Sequence, residues 1–128
     1  MALRIVRLGS PRGKGEGLRL GTVRRPPRGV PKAEFASRDY YDVWFPTLAP
    51  SLELMKQAHA ADTPAAWNAF TKRYRAEMAE PAAAHALDLL AALSKTTDLA
   101  VGCYCEDEAR CHRSVLRELL MARGATLG

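Results

Sequence analysis

The chain has 128 residues, 48% apolar and 26% charged, with a formal net charge of +5. That length suits one domain with one core, spanning residues 1–128, and those proportions exclude a wholly disordered chain. The charge is uneven: residues 1–40 carry ten Lys and Arg against three Asp and Glu, whereas residues 41–128 carry nine against eleven.

Leu3 to Leu8 alternates in part between apolar and basic residues, which predicts a first strand. Its arginines argue against reading Met1–Arg7 as a secretory signal. No apolar run approaches the roughly 20 residues of a membrane span, so no membrane role is expected. Gly9–Gly17 holds four glycines in nine positions and predicts a mobile loop. It lacks the Gly-Lys-Ser/Thr ending of a phosphate-cradling loop, so that reading is set aside.

A second strand is expected over Leu18–Arg25, with Leu18, Leu20 and Thr22 on one side. Arg25–Lys32, with Pro26, Pro27 and Pro31, then stops it as a stiff extended segment. Such a segment can be a plain connection, or it can hold Arg24, Arg25 and Arg28 at fixed places to meet a phosphate. The basic N-terminal third as a whole has the same two readings: a solvated surface, or contact with a nucleotide or nucleic acid. Residues 33–50 are irregular and aromatic, with Phe35, Tyr40, Tyr41, Trp44 and Phe45. These rings either cover one edge of the core or, with Tyr40, Tyr41, Asp42 and Trp44, wall a ligand pocket.

Three helices are expected next. The first starts at Pro50-Ser51 and turns Leu52, Met55 and His59 to one face. The second starts at Thr63-Pro64, with Thr63 as cap. Trp67, Phe70, Tyr74 and Met78 form its core-facing stripe, and Glu80-Pro81 ends it. The third runs from about Ala82 to Lys95, with Ala86, Leu89, Leu90 and Leu93 inward. His59 and His85 read as structural or surface residues rather than ligands.

All three cysteines fall between Cys103 and Cys111. Crowded and odd in number, they favour free, catalytic or metal-bound thiols in a reducing, cytoplasmic setting. Leu99–Cys105 is nearly all apolar, as in a central parallel strand. Alternation along it puts Leu99, Val101, Cys103 and Cys105 on one face, with Cys103 buried in the strand, where it does not easily join the other cysteines, and Cys105 at the C-terminal edge, where open α/β sheets bind ligands. Cys111–Arg123 is the last helix, stopped by Gly124.

Cys111, His112 and Arg113 occupy its first turn, which favours an anion or a thiolate. Cys105 or Cys111 is then the candidate thiol, His112 the candidate base, and Arg113 the clamp on a phosphate or carboxylate. The Cys105–Arg110 spacing has the length of a rhodanese-type loop, but Glu106, Asp107 and Glu108 inside it oppose both an anion and a thiolate. Those acids suit a cation instead, and zinc on the cysteines and His112 is the metal alternative. Its spacing lacks the paired Cys-x-x-Cys knuckles, so no cofactor is the leading expectation.

Several segments together resemble the DUF488 (YeaO-like) family. They are Arg24–Val30, Asp42–Ser51, Trp67–Tyr74, Cys103-Tyr104-Cys105-Glu106 and Cys111-His112-Arg113-Ser114. The match is to the branch with a Cys-His-Arg helix start. The resemblance implies a small α/β domain with a short sheet and flanking helices, and no particular activity.

The sequence therefore predicts an α/β domain with a mostly parallel sheet of three to four strands. It places an anion-binding site, thiol-dependent in its catalytic form, at the loop from Cys105 to Arg113. Arg24, Arg25, Arg28, Asp42 and Trp44 are its further substrate-binding candidates, for a phosphate- or carboxylate-bearing small molecule. The rival reading is a non-enzymatic nucleic-acid-binding module that uses the basic N-terminal third.

Overall fold

A computed structural model describes residues 1–128. Four strands, β1 (Leu3–Arg7), β2 (Leu18–Gly21), β3 (Val43–Trp44) and β4 (Leu99–Cys103), form one sheet in the order β1-β4-β2-β3. Every pairing is parallel. The helices are α1 (Leu52–Ala60), α2 (Pro64–Met78), α3 (Pro81–Leu93) and α4 (His112–Ala122). The expected α/β class and parallel sheet are thus present. No helix is long and apolar enough to cross a membrane.

β4 is central and buried along its whole length, as its unbroken apolar run requires. Leu99 and Val101 join Leu3, Leu20, Leu48, Phe70, Tyr74, Leu87 and Leu116 in the main core, which lies between sheet and helices. Gly102 leaves no room for a side chain: a Cβ there would meet Leu8 Cδ2 at 2.6 Å and the Val6 carbonyl oxygen at 2.8 Å. A second cluster of Leu8, Val23, Tyr41, Cys103 and Cys111, with Phe35, Tyr40 and Tyr104 against it, closes the C-terminal edge. Two of the five rings of residues 33–50, Tyr40 and Phe35, thus pack beside Tyr41 over this edge.

Local chemistry sets the helix ends. Ser51 Oγ accepts from the Leu54 N–H at 3.3 Å, and Thr63 Oγ1 accepts from the Ala66 N–H at 3.1 Å. Gly124, with φ of 79°, stops α4. Two faces differ from expectation. In α1 the residue that enters the core is Leu54, while Leu52 is exposed. In α3 it is Ala83, Leu87, Leu90 and Ala91, and Leu89 points to solvent. Both are apolar-rich helices in which two adjacent stripes are hydrophobic, and tertiary packing chooses between them. β3 arises inside the stretch expected to be irregular, through Leu20 and Gly21 pairing with Val43 and Trp44.

The N-terminal glycine loop is held by a buried ion pair. Arg19 is fully buried, and its guanidinium donates to both Glu16 carboxylate oxygens, at 2.8 and 2.9 Å. It also donates to the carbonyls of Ser10 at 2.9 Å and Asp39 at 2.6 Å. One side chain therefore ties the loop after β1 to the segment before β3.

Candidate functional site

In a parallel sheet, every strand delivers its following loop to the same edge. Here Arg7-Leu8, Val23–Arg28 and Cys103–Cys105 follow β1, β2 and β4. α1, α2 and the start of α4 close over them. Between them lies a cleft of about 540 Å³, within the range of small-molecule sites. Five arginines line it: Arg7, Arg24, Arg25, Arg28 and Arg110, with no Asp or Glu among the lining residues. Tyr40, Met55, His59, Trp67, Phe70 and Tyr104 supply apolar and aromatic wall, and Cys103, Cys105, Cys111 and His112 the thiol-bearing part.

The arginines are held to different degrees. Arg24 donates to the carbonyls of Pro50 and Ala49, each at 3.2 Å. Arg7 donates to the Tyr104 carbonyl at 3.2 Å and reaches Glu106 at 3.7 Å. The Arg110 guanidinium stacks over the Trp67 ring at 5.6 Å. Arg25 and Arg28 are exposed. Tyr104 Oη donates to the Arg25 carbonyl at 2.9 Å, which fixes the backbone that carries Arg25.

The three acids between Cys105 and Arg110 face other partners. Glu108 forms a two-bond pair with Arg117 at 2.6 and 2.9 Å. Arg117 holds the Glu108 carboxyl below its ordinary pKa, against the opposing effect of burial. Asp107 caps the short turn that follows it by accepting from the Ala109 N–H at 3.0 Å. Glu106 lies by Arg7 with its side chain largely in solvent.

The thiols form a cluster. Cys103 Sγ lies 3.8 Å from Cys105 Sγ, and Cys111 Sγ lies 3.7 Å from His112 Nδ1. The ligand atoms of Cys103, Cys111 and His112 all lie within 4.8 Å of one another. Cys103 and Cys111 are buried and Cys105 is exposed. The expectation that burial separates Cys103 from the others is therefore corrected. As the last residue of β4, Cys103 leaves the Leu99–Val101 core and packs with Cys111, which α4 brings back over the strand end.

Cys111 is the N-cap of α4. Hydrogen bonds from Cys103 and Cys105 push its thiol pKa down, His112 adds to this, and burial opposes it. Hydrogen bonding to Cys105 and Cys111, together with burial, pushes Cys103 up. Of the two buried thiols, the surroundings thus favour the thiolate at Cys111 over Cys103, beside the positive end of a helix. His112 is buried, edge-on to Tyr74 at 5.4 Å, and its Nε2 donates to the Thr22 carbonyl at 2.9 Å.

Of the residues singled out in the sequence, Cys105, Cys111, His112, Arg24, Arg25 and Arg28 meet in this cleft. Arg113 lies behind it, buried, and donates to the Cys105 carbonyl at 2.6 Å. Asp42 and Trp44 line a separate groove beyond Pro26 and Pro27. Asp42 forms a two-bond pair with Arg12 at 2.8 and 3.1 Å and accepts from the Arg19 N–H at 2.8 Å. Trp44 Nε1 donates to the Val23 carbonyl at 2.7 Å. Arg7, His59, Trp67 and Arg110 join the cleft without having been singled out as site residues, and Cys103, weighed in the sequence only as a zinc ligand, joins it too.

Fold and site define a small α/β protein with a thiol cluster and an arginine-walled cleft at the C-terminal edge of a parallel sheet. The family model described as the active DUF488-N3 subclade, DUF488-N3a, matches residues 3–124, and the chain belongs to the DUF488 family. No curated protein and no solved structure matches it.

Proposed function

We propose that the protein binds a phosphate- or carboxylate-bearing small molecule in this cleft, and that the thiol cluster serves chemistry on it. One observation carries the reading: five arginines and no acid line a concave space of small-molecule size. Such a lining focuses positive potential in a site with low-dielectric walls. Arg25 and Arg28 would meet the anion first, with Arg24 and Arg110 oriented by their own partners. Cys105, Cys111 and His112 are the groups proposed to face it from within.

The small-molecule reading is preferred to a nucleic-acid surface because five arginines gather around one concave space, whereas two other N-terminal arginines are neutralised, Arg12 by Asp42 and Arg19 by Glu16.

Calorimetric titration with inorganic phosphate, acetate and a single-stranded oligonucleotide, each over a range of salt, separates the two. The reading expects saturable binding of phosphate or acetate that weakens about tenfold or more in Arg25→Ala/Arg28→Ala, the loss of roughly two charge-assisted hydrogen bonds. Oligonucleotide binding alone, with a steep salt slope, overturns it.

A further inference from the structure

We infer that Cys103, Cys105, Cys111 and His112 form a binding site for one zinc-class divalent cation in the floor of the cleft. The inference goes beyond anion binding and stands independently of it.

Spacing is the first argument. Zinc–sulfur bonds of about 2.3 Å and zinc–nitrogen bonds of about 2.0–2.1 Å in a tetrahedron put ligand atoms about 3.6–3.8 Å apart. The Cys103–Cys105 sulfur distance is 3.8 Å and the Cys111 sulfur to His112 Nδ1 distance is 3.7 Å. Cys103, Cys111 and His112 already stand within 4.8 Å of each other. These three need only a small contraction, and Cys105, which meets the group through Cys103 and is exposed, is the ligand that must swing in to complete it.

The histidine supplies the second. Its Nε2 lies 2.9 Å from the Thr22 carbonyl, which can only accept, so the proton sits on Nε2. In the neutral ring Nδ1 is then a lone pair on the side of the sulfurs. Metal-binding histidines are oriented in this way, by a hydrogen bond from the nitrogen that does not bind. Thr22 is itself fully buried, and its hydroxyl donates to the Gly102 carbonyl at 2.9 Å, so the acceptor is fixed.

Charge is the third. Three thiolates around a divalent cation leave one net negative charge. Arg113 is buried, forms no salt bridge, and donates to the backbone of Cys105. Its Nε is the one buried side-chain nitrogen or oxygen that lacks a partner. A buried cation without a carboxylate requires a compensating anion nearby. The thiolate cluster provides it. Three soft thiolates and an imidazole select zinc-class ions over magnesium or calcium. Cys105, the exposed ligand, is the one that meets the cleft, where a bound anion would approach the ion.

The test uses the full chain, reduced and purified without a metal-binding tag. Its metal content is measured, and the chelator-treated protein, checked for fold by circular dichroism, is titrated with Co²⁺ and with Zn²⁺ in competition with a chromophoric chelator. The expected result is one equivalent bound, with tetrahedral Co²⁺ bands and thiolate-to-cobalt charge transfer. Cys103→Ser, Cys111→Ser and His112→Gln should each weaken Zn²⁺ by about 100-fold or more, at or above the cost of removing an outer-shell support of a metal site, and the exposed Cys105→Ser by about tenfold. If a variant fails to fold, the wild-type Co²⁺ spectrum still decides. A folded, chelated chain that binds neither ion at micromolar concentration, or a cobalt spectrum without charge transfer, overturns the site. Phosphate titration of the chelated protein is a separate measurement, so loss of the metal site and loss of the anion site are told apart.

Discussion

The guanidinium of Arg19 in β2 is buried in a two-bond fork against the carboxylate of Glu16, three residues before it in the preceding loop. Removing one partner of such a pair strands the other charge, which costs about 3–5 kcal/mol. Glu16→Ala is therefore expected to lower unfolding free energy by that amount, with the denaturant slope unchanged. A loss below about 1 kcal/mol, the level of an exposed pair, would show that the fork is relaxed in solution.

Acid should weaken the fold through Glu16, Asp42 and Glu108. For Glu16 and Asp42 burial opposes ionisation most strongly, yet the hydrogen bonds from Arg19 and Arg12 leave both carboxyls below their ordinary values of 4.5 and 3.8. Arg117 does the same for Glu108. A depressed folded pKa gives stability that is fully present above the unfolded value and is lost as pH falls through the folded one. Urea midpoints should hold down to about pH 5 and then drop toward pH 3. A midpoint that stays level over that interval contradicts the pairing.

The Cys111 thiol should ionise below its ordinary value of 9.0, driven first by hydrogen bonding from Cys103. In chelator-treated protein, thiolate absorbance in the ultraviolet should persist at neutral pH and vanish in Cys111→Ser. Absorbance that rises only above about pH 8.5, the range of a free cysteine, would mean the cluster does not hold its charge there.

Tyr74 connects core and site. Its hydroxyl donates to the Leu48 carbonyl at 2.6 Å, and its ring meets the edge or face of His112 at 5.4 Å. Tyr74→Phe leaves that buried carbonyl unpaired and should cost about 1–3 kcal/mol. Because the ring remains, His112 should stay in place, and Zn²⁺ affinity should match the wild type. A large loss of metal affinity without loss of stability would assign the hydroxyl a different role.

Much of this was legible in the sequence. The unbroken apolar run of β4, the helix start at Pro50-Ser51, the cap Thr63 and the stop at Gly124 each follow from local chemistry. β3 did not, because two residues carry no periodicity and their pairing depends on β2. Cys103 was misjudged because burial was equated with isolation. A residue at the end of a strand can be buried by the very group it pairs with. The Glu106–Glu108 acids seemed to oppose an anion site because sequence proximity says nothing about direction. Arg117, nine residues past Glu108, takes the charge that matters most. Arg7, His59 and Arg110 are not legible as cleft residues because the cleft is assembled from six separate stretches of the chain.

The order β1-β4-β2-β3 has a consequence for how the molecule comes into being. β4 separates β1 from β2, yet it is the last strand made. β1 has no strand partner until Leu99–Cys103 has left the ribosome, and β2 has only the two residues of β3. The helical hairpins, with their short-range contacts, can form earlier, but the sheet waits for a single late insertion. Non-local pairing of this kind slows folding and leaves strand edges open in the meantime. The nascent chain thus carries two strands with open edges until the residues that bear its thiols arrive, and closing the sheet and assembling the site become one event.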